Sequence, residues 1–95
     1  MTRYISLLRF TPQGARNLKH SPTRAAAFRK ASEKAGVKVE TQLWTVGTYD
    51  GILILSAPNE AAALNAIARL AATGNVTTQT LQAFDAKEFG KIVSR

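Results

Sequence analysis

The sequence predicts an α+β fold of the ferredoxin-like type, with elements in the order β-α-β-β-α-β and a short C-terminal helix. Three observations lead to this prediction. Two helical segments each lie between apolar strand segments. A glycine-rich turn at residues 47–51 leads directly into the aliphatic run 52–55, which is typical of a hairpin that feeds a buried strand. Two right-handed crossovers joined by this hairpin give an antiparallel sheet in the strand order 4-1-3-2, with the first and third strands at its centre.

The first half of the chain is predicted to form one strand and one main helix. Residues 3–10 form the strand, which is apolar on both faces: Ile5 and Leu7 on one, and Tyr4, Leu8 and Phe10 on the other. Residues 11–14 end the strand, and residues 16–20 form an irregular helical turn. Ser21 caps the main helix, Pro22 takes its first position, and Gly36 ends it. The predicted buried face of this helix holds Arg24, Phe28, Ala31 and Ala35.

The second half supplies three strands and two helices. Residues 37–46 and 49–57 form the second and third strands. Residues 58–60 open the next helix and Gly74-Asn75 closes it, with Leu64, Ile67, Ala68 and Ala71 predicted on its buried face. Residues 76–84 form a threonine-rich strand at a sheet edge, and residues 85–93 form the C-terminal helix.

The net charge of +7 is concentrated in residues 1–38, which hold nine basic residues and one acidic residue. This asymmetry suits an anionic ligand, an acidic partner or nucleic acid, but a solvated helix face is the simpler explanation. The chain has no cysteine, which excludes disulfides and thiolate chemistry. Because Arg9 interrupts the apolar start, we expect no signal peptide. We expect no membrane segment, since no apolar run approaches membrane-spanning length. We therefore expect a cytoplasmic, bacterial protein of one domain, residues 1–95.

The central strands of the predicted sheet are apolar on both faces, whereas two helices can cover only one face. The uncovered face therefore needs another cover, and a second copy of the sheet is the simplest. We expect a homodimer formed through the sheet faces, with higher oligomers left open. Trp44 and Tyr4 are candidate anchors of this interface.

Several short motifs follow one another along nearly the whole chain. They are Thr11-Pro-Gln-Gly14, Ser21-Pro22 with Arg24, Gly36, Gly47-Thr-Tyr49-Asp50, Ala57-Pro58, Gly74-Asn75-Val76 and residues 80–84. In this order and spacing they resemble the GYD domain family, a branch of the dimeric α/β-barrel group. The resemblance implies a ferredoxin-like fold and dimerisation through the sheets. It implies no reaction, because related barrels include cofactor-free oxygenases, haem-degrading enzymes and ligand-binding modules.

The predicted topology brings three motifs to the end of the sheet where the first strand finishes, which we call the top. We expect either the functional site here or a polar cluster that fixes three loops. The residues predicted to bind a ligand are Arg9, Thr11, Trp44, Tyr49, Asp50 and Asn75. Basic residues also surround the start of the main helix, where an anionic or carboxylate-bearing ligand would offset their charge: Arg16, Lys19, His20 and Arg24.

Asp50, Tyr49 and His20 are the candidate catalytic residues, and each has a simpler structural explanation. Asp50 either accepts backbone N–H bonds or pairs with Arg9, or it faces an apolar cavity and acts as a general acid–base. Tyr49 is either a core aromatic residue or a donor to a ligand oxygen, and Trp44 is either an interface or core residue or a stacking platform. His20 fits a surface residue, with haem ligation as the alternative. Since a zinc site would need scattered carboxylates, we expect no metal and no cofactor.

The leading hypothesis for function is a small homodimeric α/β-barrel protein that binds a small, anionic molecule without catalysing a reaction. The alternative is a cofactor-independent oxygenase or isomerase. RNA-recognition domains share the element order, but they need aromatic residues on the third strand, where residues 52–55 are aliphatic. We therefore expect binding to neither nucleic acid nor a membrane.

Overall fold

The computed structural model describes residues 1–94 and contains the predicted succession of elements. Strand β1 spans Thr2–Phe10, and the short helix α1 (Pro12–Arg16) and a 3-10 turn (Leu18–His20) precede helix α2 (Ser21–Lys34). The remaining elements are β2 (Lys38–Trp44), β3 (Gly51–Ala57), α3 (Glu60–Ala72), β4 (Val76–Ala83) and α4 (Ala86–Val93). The strands form one antiparallel sheet in the order β2-β3-β1-β4, which confirms the predicted ferredoxin-like topology.

Local sequence signals explain where the helices begin and end. Gly36 follows α2 with φ of +83°, a left-handed conformation that glycine adopts without a steric penalty. The Asn59 side chain accepts a hydrogen bond from the Ala62 backbone N–H at 2.9 Å and so caps α3. Asp85 and Glu88 form a reciprocal capping box at the start of α4.

The hydrophobic core lies between the sheet and helices α2 and α3. Side chains alternate along each strand, so every second residue of β1 and β3 faces this core. The buried apolar residues are Tyr4, Val37, Val39, Leu53, Leu55, Ala57, Ala63, Ala66 and Ile67. The core therefore covers one face of the sheet only.

Three predictions about the helices are wrong. Ala31 and Ala35, predicted on the buried face of α2, are exposed, whereas Ser32 is fully buried. On α3, Leu64 is 59% exposed and the predicted alanines 68 and 71 are exposed, whereas Ala63 and Ala66 are buried beside Ile67. Alanine and leucine occur on all sides of α3, so apolar periodicity does not select its buried face. The face with the smaller side chains packs against the sheet because it allows the helix to come closer. On α2, Ser21 does not cap the helix: its hydroxyl accepts a hydrogen bond from Trp44 Nε1 at 2.9 Å.

The other face of the sheet, which we call the open face, carries aliphatic side chains without a covering element among residues 1–94. The strand register places Ile5 beside Ile54 and Leu7 beside Ile52 on this face. The edge strands add Leu43 and Leu81, which are 55% and 46% exposed. Within residues 1–94, no helix is both long and apolar enough to cross a membrane.

Candidate functional site

A cavity of about 360 Å³ lies between the sheet and helices α2 and α3. Most of its wall is apolar, and the residues that form this part include Leu8, Phe10, Phe28, Leu53, Leu70 and Val76. Its polar side chains come from both helices, from β2 and from the loops at the top of the sheet: Ser21, Arg24, Gln42, Trp44, Asp50, Arg69, Thr73 and Asn75. An apolar cavity with a few convergent polar groups is the usual form of a small-molecule site.

Asp50 joins the hairpin to the central strand. Its Oδ2 accepts a hydrogen bond from the Phe10 backbone N–H at 2.8 Å, and its own N–H donates to the Leu8 carbonyl at 2.8 Å. The ion pairs within residues 1–94 involve Arg3, so the suggested pairing of Asp50 with Arg9 is absent there. Of the alternatives considered for Asp50, the geometry matches the backbone acceptor, although the residue also lines the cavity.

Thr11 and Asn75 join the loop after β1 to the loop before β4. The Thr11 N–H donates to the Asn75 carbonyl at 3.0 Å, and the Thr11 hydroxyl donates to the Gly74 carbonyl at 2.6 Å. Gln13 Nε2 adds a hydrogen bond to Asn75 Oδ1 at 3.0 Å. Gly14 lies so close that an added Cβ would be 2.0 Å from the Asn75 carbonyl oxygen. We call these five residues the top cluster.

Trp44 lies on the helix side of the sheet, half exposed at the cavity wall. Its indole N–H is already used by Ser21, which fixes the ring against the start of α2. The neighbouring Gln42 donates from Nε2 to the Ala25 carbonyl at 3.0 Å. The edge strand β2 is therefore tied to α2 along the cavity wall.

Arg9 and Tyr49 lie on the opposite side of the sheet from this cavity. The Arg9 guanidinium is 5.0 Å from the centre of the Tyr49 ring, within range of a cation–π interaction. The Tyr49 hydroxyl donates to Gln79 Oε1 at 2.6 Å, and both residues line a shallow depression on the open face. His20 is exposed in the turn before α2.

The predicted site residues are thus divided between two places. Trp44, Asp50 and Asn75 line the cavity. Thr11 is outside the lining and donates a backbone hydrogen bond to the Asn75 carbonyl. The three candidate catalytic residues do not share one cavity. Residues 1–94 also contain no group of three or more His, Asp or Glu residues that could hold a metal ion.

Sequence reasoning missed Arg69 as a residue of the cavity. Its Nε donates to Asn65 Oδ1 at 3.1 Å, while its Nη2 is buried and has no hydrogen-bond partner within residues 1–94. Arg69 comes three residues after the buried Ala66, so a correct assignment of the buried face of α3 would have placed it near the cavity. Arg24, which was predicted on the buried side of α2, donates from Nη1 to the Asn17 carbonyl at 2.9 Å.

A separate charged group lies on the open face at the end where β1 begins. The Ser56 hydroxyl donates to Glu40 Oε2 at 2.6 Å, and Arg3 Nε lies 3.6 Å from the same oxygen. The Ser56 hydrogen bond, helped by the charges of Arg3 and Lys38, lowers the pKa of Glu40, although desolvation partly opposes the shift. Glu40 is therefore a structural carboxylate whose ionised form is favoured by its surroundings.

Comparison with known proteins agrees with the family resemblance. The sequence model of the GYD domain matches residues 4–93. A protein of Thermus thermophilus, described as a glutamine synthetase and cystathionine beta-lyase binding protein, is 33% identical over 84 residues, which are 87% of this chain and 88% of the relative. No solved structure matches the chain with statistical significance.

Proposed function

The chain belongs to the GYD domain family, and from this premise we propose that it is a homodimeric binding protein that holds a small molecule between its helices and its sheet. The cavity of about 360 Å³ is the observation that carries the proposal. Its volume falls within the range of known ligand pockets, at roughly 300–1,000 Å³, and its wall is largely apolar.

The open face supports the homodimer. Antiparallel sheets expose one face to water when that face is polar, but here the central positions are Ile5, Leu7, Ile52 and Ile54. A second copy presents the same aliphatic surface and would remove both surfaces from water. Face-to-face pairing would leave the cavity accessible, because the cavity lies on the other side of each sheet.

The described relative supports a second candidate function, the binding of a larger enzyme. The exposed surface of α1, α2 and the 3-10 turn between them is strongly basic, with Arg16, Lys19, Arg29, Lys30 and Lys34. The ion pairs within residues 1–94 do not involve it. Such a surface suits an acidic protein partner. The relative's two enzymes are therefore the first partners to test.

The oxygenase or isomerase alternative has less support. Asp50 is engaged by the Phe10 N–H, Tyr49 lies on the open face, and His20 is exposed to solvent. General acid–base catalysis requires such groups within hydrogen-bond reach of one substrate. The geometry of a single subunit therefore favours binding over catalysis.

Sedimentation and native mass spectrometry test the homodimer and the bound molecule together. We expect a dimer that retains a small molecule when it is purified from its own source under gentle conditions. Ile54→Glu places a charge in the middle of the open face and should give a folded monomer. Leu64→Glu is the matched control, since Leu64 is exposed on α3. A wild-type monomer at micromolar concentration would refute the pairing, and a chain that never retains a ligand would refute the binding role.

The partner hypothesis is tested with glutamine synthetase from the same organism. Binding should weaken with salt and with the double change Lys30→Glu and Lys34→Glu, because both lysines lie on the exposed basic surface. Lys87→Glu, on α4, is the control and should leave binding unchanged. Equal binding by the wild type, the double variant and the Lys87→Glu control would contradict the role of the basic surface.

A further inference from the structure

Arg69 carries a hydrogen-bond donor that the described chain does not satisfy. The guanidinium group stays charged at all ordinary pH values and offers five N–H donors. Its Nε is used by Asn65, but Nη2 is buried without a partner within residues 1–94. A buried, unpaired donor on a charged group is unfavourable, so such groups in native proteins point to a missing partner.

No carboxylate among residues 1–94 forms an ion pair with Arg69. The acidic residue that lines the cavity is Asp50, whose Oδ2 is occupied by the Phe10 N–H. The ion pairs formed by the described residues join Arg3 to Glu40 and Glu88 on the far side of the sheet. The acceptor for Nη2 must therefore come from outside residues 1–94, and a molecule in the cavity is the acceptor that the lining favours.

The cavity favours a molecule with one negative charge. Its lining contains the two cations Arg24 and Arg69 and the single anion Asp50, which leaves one positive charge in excess. The surrounding wall is formed by apolar residues such as Phe28, Leu53 and Leu70, which suit an apolar body. A dianionic phosphate would exceed the available charge.

We propose that the cavity binds a small organic acid, with one carboxylate oxygen on Arg69 Nη2 and an apolar body between Phe28 and Leu53. This inference rests on the proposed small-molecule site and specifies the chemistry of its ligand. A charge-assisted hydrogen bond in a mostly apolar cavity gives the ligand its orientation as well as affinity. Arg69 is thus the specificity-determining residue of the site.

The test uses phenylacetate, 3-phenylpropionate and 4-phenylbutyrate, each paired with its methyl ester. Trp44 is the single tryptophan of the chain and lines the cavity, so its fluorescence reports occupancy, and calorimetry gives the affinities. We expect the best acid to bind the wild-type protein at least about 10-fold more tightly than its ester, as one hydrogen bond to a charged group provides.

Substitution of Arg69 separates charge recognition from general packing. Arg69→Met keeps an apolar stem and should lower the affinity for the acid by about 10- to 100-fold. The affinity for the ester should stay nearly unchanged. Arg16→Met removes an exposed arginine outside the cavity lining and should change neither affinity. If Arg69→Met fails to fold, the acid-to-ester ratio of the wild-type protein still decides the matter.

Three outcomes would overturn the inference. Equal binding of acid and ester, or an equal loss of both in Arg69→Met, would refute the acid preference and leave the proposed small-molecule site intact. Failure of every acid and ester to bind would also refute it. In that case, a small molecule retained in native mass spectrometry would still support the proposed small-molecule site. If no molecule is retained, both the acid preference and the small-molecule site are refuted.

Discussion

Substitution of Gly14 by alanine tests whether the top cluster fixes the two loops that it joins. The new Cβ would lie 2.0 Å from the Asn75 carbonyl oxygen, 2.9 Å from its carbon and 3.2 Å from its Cα. All three atoms belong to the backbone, so a change of side-chain rotamer cannot relieve the overlap. Helix α1 and the start of β4 must therefore move apart.

The expected loss of stability follows from the hydrogen bonds that such a movement breaks. These are Thr11 N–H to the Asn75 carbonyl, the Thr11 hydroxyl to the Gly74 carbonyl, and Gln13 Nε2 to Asn75 Oδ1. At about 0.5–1.5 kcal/mol for each bond, the free energy of unfolding should fall by about 2–4 kcal/mol. For a domain of this size, at about 4–8 °C for each kcal/mol, the melting temperature should fall by about 8–32 °C.

Thermal unfolding followed by circular dichroism measures this loss at one protein concentration for all variants. Gly90→Ala is the matched control, because a Cβ at position 90 meets no atom within 4 Å and the residue lies inside α4. It should leave stability unchanged or raise it by up to about 1 kcal/mol. A Gly14→Ala protein that melts at the wild-type temperature would refute the view that the two loops are rigidly joined.

Two further predictions concern carboxylates that the structure uses differently. Asp50→Ala leaves the Phe10 N–H without its acceptor and should lower the free energy of unfolding, measured by thermal unfolding, by about 1–3 kcal/mol. Asp50→Asn should lose less stability. An unchanged melting temperature for Asp50→Ala would show that this hydrogen bond does not contribute to stability. Because Ser56 and Arg3 lower the pKa of Glu40, its contribution to stability is fully present above the ordinary carboxyl pKa of 4.5 and is lost as pH falls through the lower folded-state value. Urea unfolding between pH 7 and pH 3 should therefore lose more stability for the wild type than for Glu40→Gln, and identical pH profiles would contradict this linkage.

The order of the elements could be predicted because its signals are local. A run that is apolar on both faces defines β1, Gly36 ends α2, and Asn59 begins α3. Each signal acts within a few residues of the chain. The handedness of the crossovers then leaves few arrangements for four strands. The strand order could therefore be predicted from the order of the elements and the handedness of the crossovers, without knowledge of any contact between residues.

The buried face of α3 could not be predicted, and this limited the prediction of the site. In a helix with alanine on all sides, burial is decided by the distance to the sheet rather than by hydrophobic periodicity. Ala66 and Ile67 are buried while Leu64 is exposed, and this orientation also brings Arg69 to the cavity. The error about the face and the omission of Arg69 thus have one cause.

The division of the predicted ligand-binding residues also has a physical reason. Topology assigns residues to one end of a sheet, but only the register assigns them to one of its faces. Trp44 pairs with Gly51 on the helix side, whereas Arg9 pairs with Thr77 on the open face. Tyr49 precedes β3, so its position depends on the loop conformation and not on strand alternation.

Strand β3 is the shared partition between the cavity and the open face. Leu53 lines the cavity, and the next residue, Ile54, lies on the open face. The same strand backbone therefore bounds both. Under the proposed pairing, a molecule that displaces this backbone changes the dimerisation constant and its own affinity by the same factor, as thermodynamic reciprocity requires. Subunit concentration would then act as an effector of ligand occupancy.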